Sequence, residues 1–354
     1  MKNRTDMLKN IYNLVDGLTA EQLEKVVEDI YAKLADDAVS HNISRNSGNE
    51  KNITVCKKCG STHVVKNGTD KRGNRRYLCR DCKATFGDTA GSVIYNSHKE
   101  ADTWKKYISL MLNGSSITKC ASECEISTQT AFIWRHKILN ALSRKSFSNH
   151  YDGLIEMDEM YIRISYKGNH KKSKNFVMPR ESFKRGTDNR IASSSSKASV
   201  LCIVQRNKGF YGTVACRGML NFPLLSNLFS EKVSEESIIM TDGLKAYGQY
   251  FKTTSVEHIA LPSQQGKPTV KGKGVYHINN VNALQQRFRR FLRPFNGVST
   301  KYLNNYLGLF LWLENNKSGN RKELMYAELN QDNTYMSASQ LAMVPPTPDF
   351  APAA

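Results

Sequence analysis

Apolar side chains recur at helical spacing in two N-terminal stretches of this chain. In residues 19–35, leucine, valine and isoleucine return every three or four positions, which predicts an amphipathic helix. Thr19 followed by Gln22 is typical of a capping box at its start. A polar linker is predicted over residues 41–50, and residues 102–142 are predicted to be helical throughout. The apolar face of the first helix packs on the chain's own core or on a second subunit, and the pattern leaves both open.

The C-terminal half changes to short, β-rich apolar runs that alternate with helical ones. Strands are predicted at residues 154–164, 198–206, 210–216 and 237–240, with a further candidate at 255–259. Helices are predicted at residues 220–232, 279–291 and 300–313. Cys202 and Cys216 fall within strand patterns and are predicted to be core residues. This half is therefore expected to fold as one α/β domain.

Four of the eight cysteines form two CxxC pairs, Cys56-Lys-Lys-Cys59 and Cys79-Arg-Asp-Cys82, separated by 19 residues. Two such pairs supply four thiolates that can close a tetrahedral shell around one structural Zn²⁺. Strand-like runs at 64–65 and 77–78, joined by a turn signal at 70–74, complete the pattern of a zinc ribbon. The pairing favours a reducing compartment. The basic residues around the ribbon predict DNA contact, and a purely structural ribbon is the alternative.

Residues 117–138 have the pattern of a helix-turn-helix. Ser127 is expected to cap the second helix, and Ser127 and Gln129 are short polar residues suited to reaching base edges from its start. Arg135 and Lys137 follow at the height of DNA phosphates. A helical linker domain without DNA contacts is the alternative, because any compact set of helices has similar periodicity.

Positive charge is concentrated in clusters, and the formal net charge is +19. One cluster lies in residues 165–197 and includes Lys171 and Lys172; another contains Arg289 and Arg290. Such clusters attract polyanions, since each neutralised phosphate releases condensed counterions. Double-stranded DNA is the expected partner, and a solvated basic surface is the alternative. We found no run that could span a bilayer and no secretory signal, so we expect no membrane partner and a cytoplasmic, nucleoid-associated location.

Two aspartates end β-rich runs: Asp158 in the run Leu154–Glu159 and Asp242 before Gly243. Asn282 opens the helical stretch that follows. The order of elements is close to that of the ribonuclease-H-like fold, in which two neighbouring strands bring their ends together and a late helix lies across them. Two catalytic Mg²⁺ or Mn²⁺ ions need a bridging carboxylate and one flanking ligand each. On this hypothesis Asp158 bridges both ions, Asp242 holds one and Asn282 helps to hold the other.

Each of these residues also has a simpler interpretation. Asp242 before a glycine is typical of a turn at the end of a strand. Asp158 lies beside Glu156 and Glu159 and could be one of several surface acids; those two glutamates are lesser candidates for the same chemistry. The asparagines around Asn282 could instead cap the helix.

The motifs together resemble those of a known family. The zinc ribbon, the helix-turn-helix, the Asp158 and Asp242 runs, the run His277–Asn282 and the Arg-rich helix follow one another in the order found in bacterial insertion-sequence transposases of the DDE superfamily, the group with an N-terminal zinc ribbon. The resemblance covers roughly residues 55–315. It implies cleavage and strand transfer at the terminal inverted repeats of a mobile element by a homo-oligomer on element-end and target DNA. Asn282 stands where the commonest pattern has glutamate, and Arg289 where it has lysine.

We therefore expect a multidomain α+β protein. Its predicted segments are an N-terminal helical region with linker (1–50), a zinc ribbon (51–98), a helix-turn-helix region (99–150), a ribonuclease-H-like catalytic domain with a basic insertion at 165–197 (151–325) and a tail (326–354). The expected activity is that of a two-metal-ion polynucleotidyl transferase. The alternative is a transposase-derived DNA-binding protein without cleavage activity, because residue 282 lacks a carboxylate.

Overall fold

The computed structural model describes residues 22, 53–70, 75–87, 89–147, 150–168, 177–178, 197–261, 269–271, 274–330 and 336–342. The predicted helix at 19–35 lies outside this range except for Gln22, which is helical. The predicted linker, most of the basic insertion with Lys171 and Lys172, and most of the tail are outside it as well.

The chain divides into two compact units. The first comprises Met1–Glu125 and Asn316–Tyr335, and the second comprises Ile126–Asn315 and Met336–Ala354. The described strands are β1 (Val64–Thr69), β2 (Arg75–Cys79), β3 (Thr85–Gly87), β4 (Leu154–Arg163), β5 (Lys197–Gln205), β6 (Gly209–Arg217), β7 (Ile238–Thr241), β8 (Glu257–Ala260), β9 (Thr269–Lys271) and β10 (Gly274–Tyr276). The described α-helices are α1 (Ala101–Leu112), α2 (Ile117–Glu123), α3 (Thr128–Ser143), α4 (Phe222–Phe229), α5 (Lys245–Phe251), α6 (Asn279–Leu292), α7 (Leu303–Asn315), α8 (Arg321–Leu329) and α9 (Ala338–Ala342). The five-part division expected from the sequence stays a prediction.

The first unit contains a three-stranded antiparallel sheet in the order β1-β2-β3. Its small core consists of two cysteines, two aromatic residues and an alanine: Cys56, Cys79, Tyr77, Phe86 and Ala90. In the same unit α1 and α8 are joined by an ion pair, with Lys105 Nζ 2.7 Å from Glu323 Oε2.

The second unit contains a five-stranded mixed sheet in the order β6-β5-β4-β7-β8. Strands β4, β5 and β6 pair antiparallel, whereas β7 runs parallel to β4 and β8 runs parallel to β7. The predicted strands at 154–164, 198–206, 210–216 and 237–240, and the candidate at 255–259, are confirmed within about two residues at each end. The mixed α/β architecture of this part of the chain is confirmed.

Helices cover both faces of this sheet, which is why β5 is buried along nearly its whole length. One apolar cluster lies between the sheet and helices α4 and α5 and includes Ile155, Met157 and Tyr247. The other lies between the sheet and helices α6 and α7 and includes Met160, Val281 and Phe288. Cys202 and Cys216 are buried in these strands, so their prediction as core residues is confirmed.

Helix α3 belongs to the second unit, whereas α2 belongs to the first. Ser127 caps α3 as predicted, because its Oγ accepts a hydrogen bond of 3.0 Å from the Thr130 amide. The unit boundary falls within the turn between α2 and α3, and the helix-turn-helix stays a prediction. Among the described residues, we found no helix with the length and apolar character needed to cross a membrane.

Candidate active site and metal-binding clusters

The pairing of β4 with β7 brings Asp158 and Asp242 together. Met157 stands opposite Thr241 in this parallel pair, and each aspartate is the next residue along its chain. Asp242 ends its strand in a turn, with its Oδ1 accepting a hydrogen bond of 3.0 Å from the Leu244 amide. The turn suggested by the sequence and the convergence of the two aspartates therefore occur together.

A third carboxylate, that of Glu159, joins the two aspartates. Asp158, Glu159 and Asp242 each offer an oxygen within 4.8 Å of the others. Burial, together with the charges of Glu159 and Asp242, raises the pKa of Asp158 to about 7. Burial and the charge of Asp242 also raise the pKa of Glu159. Three half-buried carboxylates that repel one another form a cluster suited to a cation.

Two tyrosines hold Glu159. The Tyr247 hydroxyl, on α5, donates a hydrogen bond of 3.0 Å to Glu159 Oε2. The Tyr161 hydroxyl, on β4, donates one of 3.3 Å to Oε1. The sequence analysis gave neither tyrosine a role. Tyr247 lies five residues after Asp242 in the same run, and this proximity was the signal that could have identified it.

Helix α6 brings Gln285 to the carboxylates. Gln285 Nε2 donates a hydrogen bond of 2.8 Å to Asp158 Oδ2. Gln285 is buried with Val281, Leu284 and Phe288, whose spacing marks the face of α6 that meets the sheet. The sequence analysis missed Gln285, although a polar residue within that apolar stripe could have revealed it.

Asn282, the predicted helix-borne ligand, is exposed at the first turn of α6. Within the described part of the chain, no hydrogen bond joins its side chain to Asp158 or Asp242. The structure therefore brings together two of the three predicted catalytic residues and leaves Asn282 outside their hydrogen bonds.

Glu156 is fully buried at the start of α6. Its Oε2 accepts hydrogen bonds from the backbone amides of Asn280 (2.9 Å) and Val281 (3.1 Å). Its Oε1 accepts from the Asn280 side-chain amide at 2.6 Å and from Arg206 Nε at 2.7 Å. Arg206 also donates to the His277 carbonyl oxygen at 3.1 Å. Glu156, a lesser catalytic candidate in the sequence, caps the helix and does not join the carboxylate cluster.

A basic cavity of about 650 Å³ adjoins the carboxylate cluster. It is lined by Tyr161, Ile162, Arg163, Lys197, Arg289, Leu292 and Arg293. Arg289 Nη1 donates a hydrogen bond of 3.4 Å to the Tyr161 carbonyl oxygen, which places the arginine beside the strand that carries Asp158. Arg290, the neighbouring predicted DNA contact, is exposed on the same helix. The lining includes four cations and no carboxylate.

The predicted DNA contacts on α3 differ in their surroundings. Gln129 is exposed near the capped start of the helix, as is Ser127. Lys137 is partly buried, whereas Arg135 keeps only 5% of its surface exposed. Its neighbour His136 packs against the ring of Tyr302, with 4.0 Å between centroids. Arg135 and Lys137 thus lie on the side of α3 that packs within its own unit.

The four cysteines of the CxxC pairs converge in the first unit, with their sulfur atoms within 4.8 Å of one another. Cys56 Sγ lies 3.6 Å from Cys82 Sγ, and Cys59 Sγ lies 3.7 Å from Cys79 Sγ. Tetrahedral zinc with Zn–S bonds of about 2.3 Å requires S–S separations of about 3.8 Å. The backbone amide of Cys82 lowers the pKa of the Cys79 thiol to about 6, which favours the thiolate that a metal requires.

Comparison with known proteins identifies the family. A family model described as the ISXO2-like transposase domain matches residues 150–315. An uncharacterized protein in the transposable element ISH50 of Halobacterium salinarum is 26% identical over 262 residues, covering 73% of this chain and 85% of that protein.

Two solved structures were also matched. The pre-cleavage Mos1 transpososome shares 13% identity, with 68% of this chain and 80% of that chain covered and a TM-score of 0.22. The Mos1 strand transfer complex shares 13% identity, with 66% and 79% covered and a TM-score of 0.20. These TM-scores are too low to support an argument from structure. The family match and the ISH50 relative agree with the motifs, and the chain belongs to the insertion-sequence transposases of the DDE superfamily, with residues 150–315 as its ISXO2-like transposase domain.

Proposed function

We propose that this transposase binds the terminal inverted repeats of its element and catalyses metal-dependent strand cleavage and strand transfer. The observation that carries the proposal is the convergence of Asp158, Glu159 and Asp242, whose oxygens lie within 4.8 Å of one another inside the transposase domain. The sheet order β6-β5-β4-β7-β8 supports a ribonuclease-H-like fold for this domain.

The donor set suits Mg²⁺ or Mn²⁺, which prefer hard oxygen ligands. The raised pKa of Asp158, at about 7, reflects carboxylate repulsion that a bound cation would relieve. Asp158 and Asp242 would hold two ions, with Glu159 within reach and Asn282 as the proposed helix-borne ligand. When bound, such ions activate the attacking oxygen and stabilise the leaving oxygen.

The chain's own residues would orient this site and bind the substrate. Gln285 holds one oxygen of Asp158, and Tyr247 and Tyr161 hold Glu159. The cavity that Arg289 lines would accept the sugar–phosphate backbone of DNA, because its cations can neutralise phosphates while carrying no base information. Ser127 and Gln129 at the exposed start of α3 remain the proposed contacts to base edges.

We further propose that Cys56, Cys59, Cys79 and Cys82 hold one structural zinc ion. The sulfur separations of 3.6 and 3.7 Å support a tetrahedral shell that the four thiolates close. A closed shell has no open position for substrate, so this ion would stabilise the ribbon and take no part in strand cleavage. As in the sequence analysis, assembly of a homo-oligomer on element-end and target DNA is part of the proposal.

The test is cleavage of duplexes that carry the ends of the element flanking the gene, with Mg²⁺ or Mn²⁺ added. Asp158→Ala and Asp242→Ala are each expected to lower cleavage by at least about a thousandfold, because each removes a charged ligand. Both variants should still bind the duplex. Glu236→Ala, which removes an exposed carboxylate outside the cluster, is the matched control and should cleave normally. Persistent cleavage by either aspartate variant would contradict the proposal.

The exposure of Asn282 favours a second candidate, a transposase-derived protein that binds DNA without cutting it. The two candidates differ in their response at position 282. An active enzyme should lose activity in Asn282→Ala, and a protein that has lost its third carboxylate should cleave only as Asn282→Glu. Gln285→Ala, tested beside them, measures how much of the helix's contribution comes from the residue that contacts Asp158.

A further inference from the structure

We propose that Glu156 is a positioning residue for the candidate site, because it fixes the start of α6 against β4 and thereby sets where α6 presents its side chains to Asp158. This inference rests on the proposed function for its catalytic consequence, whereas the attachment of α6 can be measured without DNA or a divalent cation.

The first observation is the way in which α6 begins. Its N-cap residue, Ile278, has no side-chain hydrogen-bond acceptor, so the helix cannot cap itself in the usual way. The amides of Asn280 and Val281, at the positions that a capping side chain normally serves, donate instead to Glu156 Oε2 at 2.9 and 3.1 Å. The cap therefore comes from a different element, 124 residues earlier in the chain.

The second observation is the set of donors around this carboxylate. Glu156 accepts from two backbone amides, from the Asn280 side chain and from Arg206, so four donors meet two oxygens. Its side chain is 0% exposed, and a buried charge persists only when it is paired and hydrogen-bonded. The negative charge also complements the positive end of the helix dipole. Each feature favours one fixed position of α6.

The third observation is the distance along the chain from this cap to the site. Glu156 and Asp158 are two residues apart on β4 and therefore have side chains on the same face of the strand. On α6, Gln285 lies five residues after Asn280 and donates to Asp158 at 2.8 Å. The same strand and the same helix are thus joined twice, once by Glu156 and once by Asp158. Loss of the first connection is expected to misplace the second.

The principal variant is Glu156→Gln. It keeps the size of the side chain but turns one acceptor oxygen into an NH₂ group, which then faces the donors of Arg206 and Asn280. In the full-length protein without DNA, amide hydrogen exchange in the first turn of α6 is expected to rise at least tenfold. The single-turnover cleavage rate should fall about 10–100-fold, the usual cost of removing a group that orients a metal ligand. The Kd for the element-end duplex should stay within about threefold, because the substitution alters orientation and leaves the basic cavity intact.

Asp152→Asn is the matched control. Asp152 also precedes the site on the chain and also pairs with a cation of the β5–β6 turn, Lys208, at 2.5 Å, but it makes no described contact with α6. It undergoes the same change from carboxylate to amide and should leave both α6 exchange and cleavage near wild type. If Asp152→Asn lowers cleavage as much as Glu156→Gln, the effect is general destabilisation and the proposal is wrong.

A second change tests the hydrogen-bond geometry itself. Asn280→Asp, added to Glu156→Gln, replaces a donor by an acceptor, so that the new NH₂ group again has a partner and the negative charge returns. The double variant should recover most of the lost rate and protection. If Glu156→Gln does not fold, Asn280→Ala removes only one donor and is expected to lower the cleavage rate about 3–10-fold with faster α6 exchange.

The outcomes separate the two proposals. Wild-type protein that cleaves no element-end DNA would contradict the proposed function, while α6 exchange in the variants would still decide the role of Glu156. Unchanged α6 exchange in Glu156→Gln would overturn the positioning role, even if cleavage fell. Faster exchange with an unchanged cleavage rate would overturn its catalytic consequence.

Discussion

At the scale of single residues, Asp158 shows the conflict between stability and the candidate site. Its carboxyl group is half-buried, and burial with the charges of Glu159 and Asp242 raises its pKa to about 7. The hydrogen bond from Gln285 opposes this rise but does not cancel it. A group that would be neutralised by a cation is therefore costly to the folded protein when no cation is bound.

We expect Asp158→Asn to raise the thermal stability of the protein at pH 8 in buffer without added Mg²⁺ or Mn²⁺. The ordinary pKa of 3.8 is raised to about 7 in the folded state, so the ionised carboxyl destabilises the fold above pH 7. That cost declines as the pH falls below 7 and vanishes near 3.8. The gain at pH 8 should be about 1–3 kcal/mol after screening, and at pH 5 less than half as large.

The opposite case, Asp152→Asn, serves as its control in thermal unfolding at the two pH values. The hydrogen bond from Lys208 lowers the pKa of Asp152, so this carboxylate contributes stability above its ordinary pKa and loses it in acid. Its substitution should lower stability at pH 8. Asp158→Asn that destabilises the protein equally at pH 8 and pH 5 would contradict the raised pKa.

At the scale of elements, the periodicity of apolar residues predicted the main strands and helices of the second unit. The strand predicted at 198–206 is Lys197–Gln205, and the helix predicted at 279–291 is Asn279–Leu292. The helix Lys245–Phe251 was not predicted, since it is only two turns long. The contacts of Glu156 with α6 and of Asp158 with Gln285 join residues 124 and 127 apart, and no local pattern encodes such pairs. For that reason the sequence predicted Asp158 and Asp242 but missed Gln285.

Helix α7 packs against α3 at Gly308, and Gly308→Ala is expected to destabilise the second unit. A Cβ there would lie 2.5 Å from Ser143 Cα and 2.7 Å from Ser143 N, both backbone atoms that cannot turn aside. Overpacking of this kind costs about 1–3 kcal/mol, more than the gain of about 1 kcal/mol from replacing glycine within a helix. Chemical denaturation of the second unit would measure the difference.

Gly248→Ala is the control for that experiment. Gly248 is also helical, and a Cβ there would meet nothing within 4 Å. Its substitution should keep only the helix-propensity gain and leave stability unchanged or higher by up to about 1 kcal/mol. If both variants shift stability in the same direction, close approach of α7 to α3 does not explain the glycine at position 308.

At the scale of the whole molecule, the two units are stabilised in different ways. The second has a sheet covered on both faces by apolar clusters. The ribbon of the first has a core of five buried residues, two of which are cysteines that face the proposed zinc site. A core this small rarely supports a fold without a metal or a disulfide, and all eight cysteines are free thiols.

Removal of zinc should therefore unfold the ribbon and spare the large sheet. We expect purified protein to contain about one zinc per chain, and a strong zinc chelator or Cys59→Ser to release it. Hydrogen exchange should then show lost protection in β1–β3, because their core closes only around the four sulfurs, and unchanged protection in β4 and β5. Cys120→Ala, which removes a buried thiol outside the cluster, should retain the zinc and the protection of β1–β3. A ribbon that stays protected after complete loss of zinc would show that its small core suffices, and exchange in β4 and β5 that rises together with it would show that the two units do not unfold independently.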